Sequence, residues 1–169
     1  MPTRLLDLKP DDDDEPGFVR LVATTRRPII KWAALSYVWG GPQAFKTTIF
    51  SLATMYKNVS AVALPRTLQD AILVTVALGL RYLWIDCICI VQDDEDDLAR
   101  ELASIPLIYQ RAWVTISAST AENVSTGFLH DRGYWTGPVE TPILLPYRSE
   151  DGNIDGNIVI AEEYLPEYK

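Results

Sequence analysis

The stretch Leu78-Gly-Leu-Arg-Tyr-Leu-Trp-Ile-Asp-Cys-Ile-Cys-Ile-Val-Gln-Asp93 decides the fold. Between Arg81 and Gln92 it is almost entirely apolar and lacks the alternation of a strand that has one face in water. Such a run is typical of a central parallel strand covered by helices on both faces. We therefore predict a buried strand here, with Cys87 and Cys89 on one side of it and Asp86 as its one acidic residue.

One helix is predicted on each side of this run. Before it, apolar residues from Leu68 to Gly79 recur at helical spacing. Pro65 precedes this helix, Thr67 and Asp70 resemble a capping box, and Gly79 is placed to end it.

The helix after the run carries a proline. Its apolar positions continue from Leu98 to Tyr109, and Pro106 predicts a kink or restart near Ser104. The acidic residues at 93–97 precede it as solvated charges, where the helix dipole favours them.

Further strands are expected on both sides. Residues 33–38 are predicted as a buried strand and 113–119 as a further strand, Leu5-Leu6 as an edge strand, and Phe18 to Val22 as a second short strand. Residues 47–50 resemble a strand followed by a loop, and 141–145 and 158–161 are short strand candidates in the tail. The alternation of strands and helices predicts an α/β sheet with parallel members, in which ligands bind beyond the carboxyl ends of the strands.

Composition excludes several classes of protein. The 169 residues carry a net charge of −8, and ten of the 23 acidic residues lie in the runs 11–15 and 93–97. The one tight basic group is Arg26, Arg27 and Lys31, so we expect no nucleic-acid binding. No apolar run is long enough to span a membrane and no signal peptide is evident, which predicts a cytoplasmic protein.

Metal and phosphate sites are not expected. Two cysteines and one histidine match no metal-ligand spacing, and neighbouring cysteines of this kind rarely form a disulfide. Gly40-Gly41 is not part of a glycine-rich phosphate-binding motif.

Four motifs together resemble the heterokaryon incompatibility (HET) domain of filamentous fungi. They are Ala34-Leu-Ser-Tyr-Val-Trp-Gly40, Leu64-Pro-Arg-Thr-Leu-Gln-Asp-Ala-Ile72, the quoted stretch 78–93, and Ile108-Tyr-Gln-Arg-Ala112. The resemblance extends over about residues 3–132, and it implies a HET domain at 1–132. Residues 133–169 would then be a tail with short strands, at the start of a longer or truncated region.

The resemblance implies a role in nonself recognition and programmed cell death when incompatible hyphae fuse. HET domains are also distantly similar to TIR domains, some of which cleave NAD. This implies a TIR-like or flavodoxin-like fold, with a mostly parallel sheet flanked by helices and extra short strands at the N-terminus and in the tail. No resident cofactor is implied, and NAD or a related nucleotide is the expected substrate. Expected protein partners are copies of itself and other death-signalling proteins.

Glu101 is the catalytic candidate that the resemblance implies. In TIR-type hydrolases a helix glutamate supports the loss of nicotinamide through an oxocarbenium-like transition state. The alternative is an exposed glutamate that balances Arg100 or Arg111. Leu98 stands where the family usually has tryptophan, and this departure favours the alternative.

The ligand-binding candidates follow the predicted strands. They are Ser36, Tyr37, Trp39, Gly40, Asp86, Gln92 and Asp93. Asp86 would line the pocket or, as we slightly favour, accept loop N–H groups. The group at 36–40 would stack on a base or serve as core and turn, and Gln92 and Asp93 would orient ligand hydroxyls or, more readily, cap the following helix.

Two functions follow from these residues. The first is a HET domain that hydrolyses NAD, and the second is a non-enzymatic, self-associating death-signalling module. Release of nicotinamide by concentrated protein separates the two.

Overall fold

A six-stranded mixed sheet forms the centre of the fold. Its strands in chain order are β1 (Arg4–Asp7), β2 (Phe18–Ala23), β3 (Trp32–Ser36), β4 (Val59–Ser60), β5 (Tyr82–Trp84) and β6 (Val114–Ser117). They lie side by side in the order β4-β2-β1-β5-β3-β6. The strand β3 pairs in parallel with β5 and β6, whereas β1, β2 and β4 are joined by antiparallel pairs.

Four α-helices and a short 3₁₀ turn at Ala61–Ala63 accompany the sheet. The helices are α1 (Leu52–Met55), α2 (Arg66–Ala77), α3 (Asp86–Cys89) and α4 (Glu95–Arg111). The predicted α/β fold, with helices flanking the sheet and extra N-terminal strands, is therefore confirmed. Among the strands that the structure describes, parallel pairing is confined to β5, β3 and β6.

The computed structural model describes residues 1–9, 17–25, 31–43 and 45–130, and beyond them the strands at 143–148 and 155–160. The chain divides into two compact units, Met1–His130 and Asp131–Lys169. In the second unit β7 (Ile143–Arg148) and β8 (Asp155–Ile160) overlap the two predicted strand candidates of the tail, and they form an antiparallel pair. The acidic run 11–15 and the basic residues Arg26 and Arg27 lie outside the described residues.

The N-terminal strand is interior, not an edge strand as predicted. β1 lies between β2 and β5, and Leu5 and Leu6 are fully buried. Short apolar pairs cannot reveal how many neighbours a strand has, because pairing is decided by distant segments. Burial of these leucines anchors the antiparallel half of the sheet to the parallel half.

The long apolar run is a strand followed by a helix, not one continuous strand. β5 ends at Trp84, and after Ile85 the chain forms the single-turn helix α3, which contains both cysteines. Residues 87–91 are all buried, so a run without alternation fits a buried helix as well as a buried strand. Both cysteines are free.

The helix α2 starts without the predicted capping box. Its N-cap is Pro65, and no side chain caps it. Thr67 Oγ1 donates to the carbonyl of Asn123 at 3.2 Å, and Asp70 accepts from the N–H groups of Phe128 and Leu129 at 2.8 and 2.9 Å. These polar side chains therefore fasten the loop after β6 to the helix. The predicted end at Gly79 agrees with its φ of +72°.

Pro106 does not interrupt α4, contrary to the prediction. The helix continues unbroken from Glu95 to Arg111. Proline removes the one hydrogen bond to the carbonyl of Leu102, and both residues lie on the exposed side of the helix. The loss is tolerated because water can solvate a carbonyl on that side.

Residues 47–50 form no strand. Thr47 donates its N–H to the carbonyl of Cys87 at 2.9 Å and accepts from the N–H of Gln92 at 2.9 Å. The chain then turns, with Ser51 Oγ accepting from the N–H of Thr48 at 2.9 Å, and enters α1. The backbone N–H and carbonyl of Thr47 are thus bonded to the segment around α3. They are therefore not available to pair with a strand of the sheet.

Candidate functional site

The carboxyl ends of the three parallel strands meet at one edge of the sheet. Ser36 lies opposite Ser117 in register, and Ala34 lies opposite Trp84. Ser36 lies two residues after Ala34, and Asp86 lies two residues after Trp84. The predicted site residues 36–40 and 86 therefore follow neighbouring strands at the edge where ligands bind in sheets of this kind.

Aromatic side chains surround Asp86 at this edge. Trp39 Nε1 donates to Asp86 Oδ2 at 2.9 Å, and the N–H of Cys87 donates to Asp86 Oδ1 at 2.6 Å. The hydroxyl of Tyr37 is buried beside Asp86 and Cys87, and no described residue meets it at hydrogen-bond geometry. We call Tyr37, Trp39, Asp86, Cys87 and Tyr109 the Asp86 cluster.

Burial dominates the electrostatics of the Asp86 cluster. It raises the pKa of Asp86 above the ordinary value of 3.8, although the hydrogen bonds from Trp39 and from the N–H of Cys87 pull the other way. Burial also raises the pKa of the Tyr37 hydroxyl, and the Cys87 thiol and Asp86 raise it further. The pKa of Cys87 is raised to about 12, again chiefly by burial. This thiol is consequently protonated at neutral pH and is not a nucleophile there.

Tyr109 completes the cluster and was not among the predicted site residues. Its hydroxyl donates to the carbonyl of Leu35 at 2.9 Å, and its ring meets that of Trp84 edge to face at 5.6 Å. Burial raises the pKa of Tyr109, and Asp86 adds to the effect. In the sequence Tyr109 is one apolar position of a helical repeat, and that periodicity carries no sign of a site.

The remaining ligand-binding candidates have local partners or exposed positions. Ser36 is exposed at the end of β3, and Gly40 packs against the loop after β6. Gln92 Nε2 donates to the carbonyl of Asp86 at 3.1 Å, so Gln92 braces the segment that carries Asp86. Asp93 is exposed and accepts the N–H of Ile49 at 2.7 Å.

The prediction that Gln92 or Asp93 caps α4 is also wrong. The helix α4 begins at Glu95, and its N-cap is Asp94, whose side chain accepts from the N–H of Asp97 at 3.0 Å. The acids in its first turn are Glu95, Asp96 and Asp97, which agrees with the predicted placement of negative charge.

Glu101 is buried in α4 with only 1% of its surface exposed, so the exposed surface glutamate considered above is excluded. Its Oε1 accepts a hydrogen bond from Thr3 Oγ1 at 2.7 Å. Its Oε2 is buried and has no hydrogen-bond partner among the described residues. Buried carboxylate oxygens are normally paired, so an unpaired one is a marker of a functional or strained position.

A network of ion pairs adjoins Glu101. Asp97, only 3% exposed, pairs with Arg4 and Arg100 and accepts the N–H of Val91 at 2.9 Å. Arg4 Nε also donates to the carbonyl of Cys89 at 2.7 Å. Asp97 was expected to be a solvated acid, but the fold places it in the interior. We call Thr3, Arg4, Cys89, Asp97 and Glu101 the Glu101 cluster.

The two clusters share an edge of the sheet, and within the described part of the chain no hydrogen bond joins them. β1 runs antiparallel to β5 with Leu6 opposite Leu83, so Thr3 and Arg4 lie towards the carboxyl end of β5. The helix α3 connects the clusters: its first residue, Asp86, belongs to one, and its last, Cys89, lies beside Arg4 and Glu101 of the other. The structure thus brings Tyr37, Trp39 and Asp86 together and holds Glu101 in a neighbouring, separate group.

The raised pKa of Asp86 predicts a pH dependence of stability. The folded protein keeps this proton at pH values where the unfolded chain has lost it, so the free energy of unfolding falls as the pH rises above about 4. Asp86→Asn removes the ionisation and is expected to flatten this fall, while the exposed Glu122→Gln leaves it unchanged. Urea unfolding across this pH range measures the slope, and equal slopes in Asp86→Asn and the parent would contradict the assignment.

Some kinds of site and segment are absent from the described part of the chain. Within those residues, no group of three or more histidine, cysteine, aspartate or glutamate side chains could hold a metal ion. In the same residues, no helix combines the length and the apolar character that crossing a bilayer requires.

Comparison with known proteins gives one match. The family model described as Heterokaryon incompatibility protein (HET) matches residues 32–150 of the chain. No curated protein and no solved structure matches it. The matched range includes β3, β5, α3 and α4, and therefore both Asp86 and Glu101.

Proposed function

Because the chain belongs to the heterokaryon incompatibility family, we propose that it acts in the cytoplasm of fungal cells in nonself recognition and cell death, by cleaving NAD or a related nucleotide. The observation that supports the chemistry is the unpaired, buried Oε2 of Glu101. A carboxylate with one oxygen held by Thr3 and the other unused is placed to stabilise a developing positive charge.

The proposed reaction is hydrolysis of the bond between nicotinamide and ribose. The bond breaks with its electron pair going to the nicotinamide nitrogen, and the ribose carbon becomes oxocarbenium-like. Glu101 would stabilise this charge, and a water oxygen would then add to the same carbon and release a proton. The rings of Tyr37 and Trp39, beside Asp86, would supply the stacking surface for a base.

The burial of Glu101 places a condition on this activity. With 1% of its surface exposed, Glu101 cannot touch a substrate until neighbouring segments move. We propose that this movement accompanies self-association. The monomeric domain is then inactive, and the assembled domain is active. Activity should therefore rise more steeply than in proportion to protein concentration.

The test is release of nicotinamide from NAD by dilute and concentrated protein. Glu101→Gln is expected to lower the rate at least tenfold, because it removes the negative charge and keeps the shape. Glu95→Gln is the matched control, since Glu95 is exposed on the same helix, and it should cleave at the parental rate.

Two results would count against this proposal. If concentrated, assembled protein releases no nicotinamide while its expression still kills cells, the enzymatic function fails. If Glu101→Gln cleaves as fast as Glu95→Gln, the carboxylate that matters is a different one.

A second candidate function, non-enzymatic self-association, is favoured by an exposed apolar turn. Phe50 is 97% exposed and Ile49 62% exposed. The turn is braced by the bond from Ile49 N–H to Asp93 and by the bond between Thr48 and Ser51. An exposed aromatic ring on a braced turn is typical of a contact surface.

Self-association without catalysis predicts a different pattern of results. Phe50→Ser should abolish both oligomers and cell death, whereas Glu101→Gln should leave both intact. Sedimentation velocity, measured beside a cell-viability assay, separates the two functions.

A further inference from the structure

A cleft of about 380 Å³ lies next to the backbone of Trp39, and its lining includes no side chain of either cluster. Three segments form it: the loop after β3, the residues just before α2 and the loop after β6. Six of its lining residues are Pro42, Gln43, Phe45, Leu64, Pro65 and Val124. Five of these six present apolar side chains, and the volume is at the lower end of the range for small-molecule sites.

The walls of the cleft are held together by hydrogen bonds. The N–H of Thr67 donates to the carbonyl of Val124 at 2.9 Å, which joins the loop after β6 to α2. Gln69 Nε2 donates to the carbonyl of Leu64 at 2.7 Å, which fixes the segment before α2. The cleft is thus largely formed before any ligand arrives.

Gln43 and Ser125 are the polar residues that line this cleft, and Gln43 is only 7% exposed. Its Nε2 donates to the carbonyl of Trp39 at 3.3 Å. A carbonyl can only accept, so this contact assigns the amide orientation and leaves Oε1 as the free end. Oε1 is buried and has no partner among the described residues. Within an apolar site, an unpaired amide oxygen lacks an N–H or O–H donor.

We propose that this cleft binds a flat aromatic ring that carries an N–H donor. The ring would pack against Phe45, Pro42 and Pro65, and its N–H would donate to Gln43 Oε1. Because Oε1 is buried, the Gln43 amide has to turn before a ligand N–H can reach this oxygen. The site shares no side chain with the Glu101 cluster, so it stands independently of the proposed NAD cleavage.

Two probe pairs test the proposal on the full chain. Benzamide and methyl benzoate share one ring, and only benzamide has an N–H. The pair 9-methyladenine and 9-methylpurine makes the same comparison with two rings and shows which ring size the cleft takes. Binding is followed by shifts of the methyl resonances of Leu64 and Val124 in a titration.

The donor-bearing member of at least one pair is expected to bind about tenfold more tightly than its partner, which is the contribution of one good hydrogen bond. Gln43→Met should erase this preference, Gln43→Glu should keep it, and Gln110→Met, on the exposed side of α4, should match the parent.

Three results would overturn the proposal. They are titrations in which no probe shifts these resonances, equal affinity of both members in each pair for the parent, and a preference that survives in a folded Gln43→Met. The comparison within the parent decides the matter even if Gln43→Met does not fold. None of these results bears on nicotinamide release, so a failure here remains distinct from a failure of the proposed function.

Discussion

Replacing Asp97 by Asn is expected to lower the free energy of unfolding by about 3–5 kcal/mol, the usual cost of removing one partner from a buried ion pair. Asp97 is 3% exposed and Arg4, its partner, 9%. Asparagine can still accept the N–H of Val91, but it leaves the buried Arg4 guanidinium without its ion-pair partner. Arg100 is half exposed, so water can solvate it and its loss contributes little.

Asp96→Asn is the matched control. Asp96 is the preceding residue in the same first turn of α4 and is exposed, so its substitution should change stability by less than about 1 kcal/mol. Urea unfolding of the parent and both variants measures the difference. Similar values for Asp96→Asn and Asp97→Asn would mean that helix-dipole charge, and not the buried network, is what matters.

The same carboxylate predicts a loss of stability in acid. Burial alone would raise the pKa of Asp97, but the N–H of Val91 and the guanidinium groups of Arg4 and Arg100 outweigh it and hold the pKa below 3.8. Below its ordinary pKa the unfolded chain binds this proton more readily than the folded protein, so stability falls as the pH drops through that range. In Asp97→Asn this part of the acid-induced fall should disappear.

Gly40→Ala is expected to destabilise the protein by about 2–5 kcal/mol. Gly40 has a φ of +74°, where an alanine costs about 1–2 kcal/mol. An added Cβ would also lie 2.2 Å from Asn123 Cβ and 2.8 Å from Asn123 Cα. Backbone cannot move aside as a flexible side chain can, so the loops after β3 and β6 would be forced apart, at an overpacking cost of about 1–3 kcal/mol.

Gly79→Ala separates the two causes. Gly79 has nearly the same φ, +72°, but nothing lies within 4 Å of an added Cβ. Gly79→Ala should lower the free energy of unfolding only by the backbone contribution, about 1–2 kcal/mol. Thermal unfolding of the two variants gives the steric contribution by difference, and equal losses would show that the contact between Gly40 and Asn123 gives way at no cost.

Local sequence patterns predicted the elements whose secondary structure depends little on contacts with distant segments. The helix α2, its end at Gly79, the acid-rich start of α4 and the strands β3 and β6 each follow from periodicity, propensity or turn chemistry within a few residues. The apolar run at 81–92 could not be divided in this way. Burial on all sides removes the alternation that distinguishes a strand from a helix, and Leu83, Trp84 and residues 87–91 are all buried.

The candidate site was predictable in position but not in contacts. Order along the chain placed Tyr37, Trp39 and Asp86 at the ends of neighbouring parallel strands, and the structure brings them together there. The burial of Glu101 was not predicted from the residues around it in the sequence, because its hydrogen-bond partner Thr3 is 98 residues away. Tyr109 was not predicted for the same reason, since its partner Leu35 lies on another segment.

By itself the sequence determined the class of fold, the family and the edge of the sheet to examine, because these depend on residue order and on patterns a few residues long. Tertiary structure alone decided which polar groups are buried and which remain unpaired: Asp97 inside an ion network, Glu101 with one free oxygen, and Gln43 with another. The physical reason is that the free energy of a buried polar group depends on the donors, charges and water around it. Those surroundings are assembled from segments that only folding brings together.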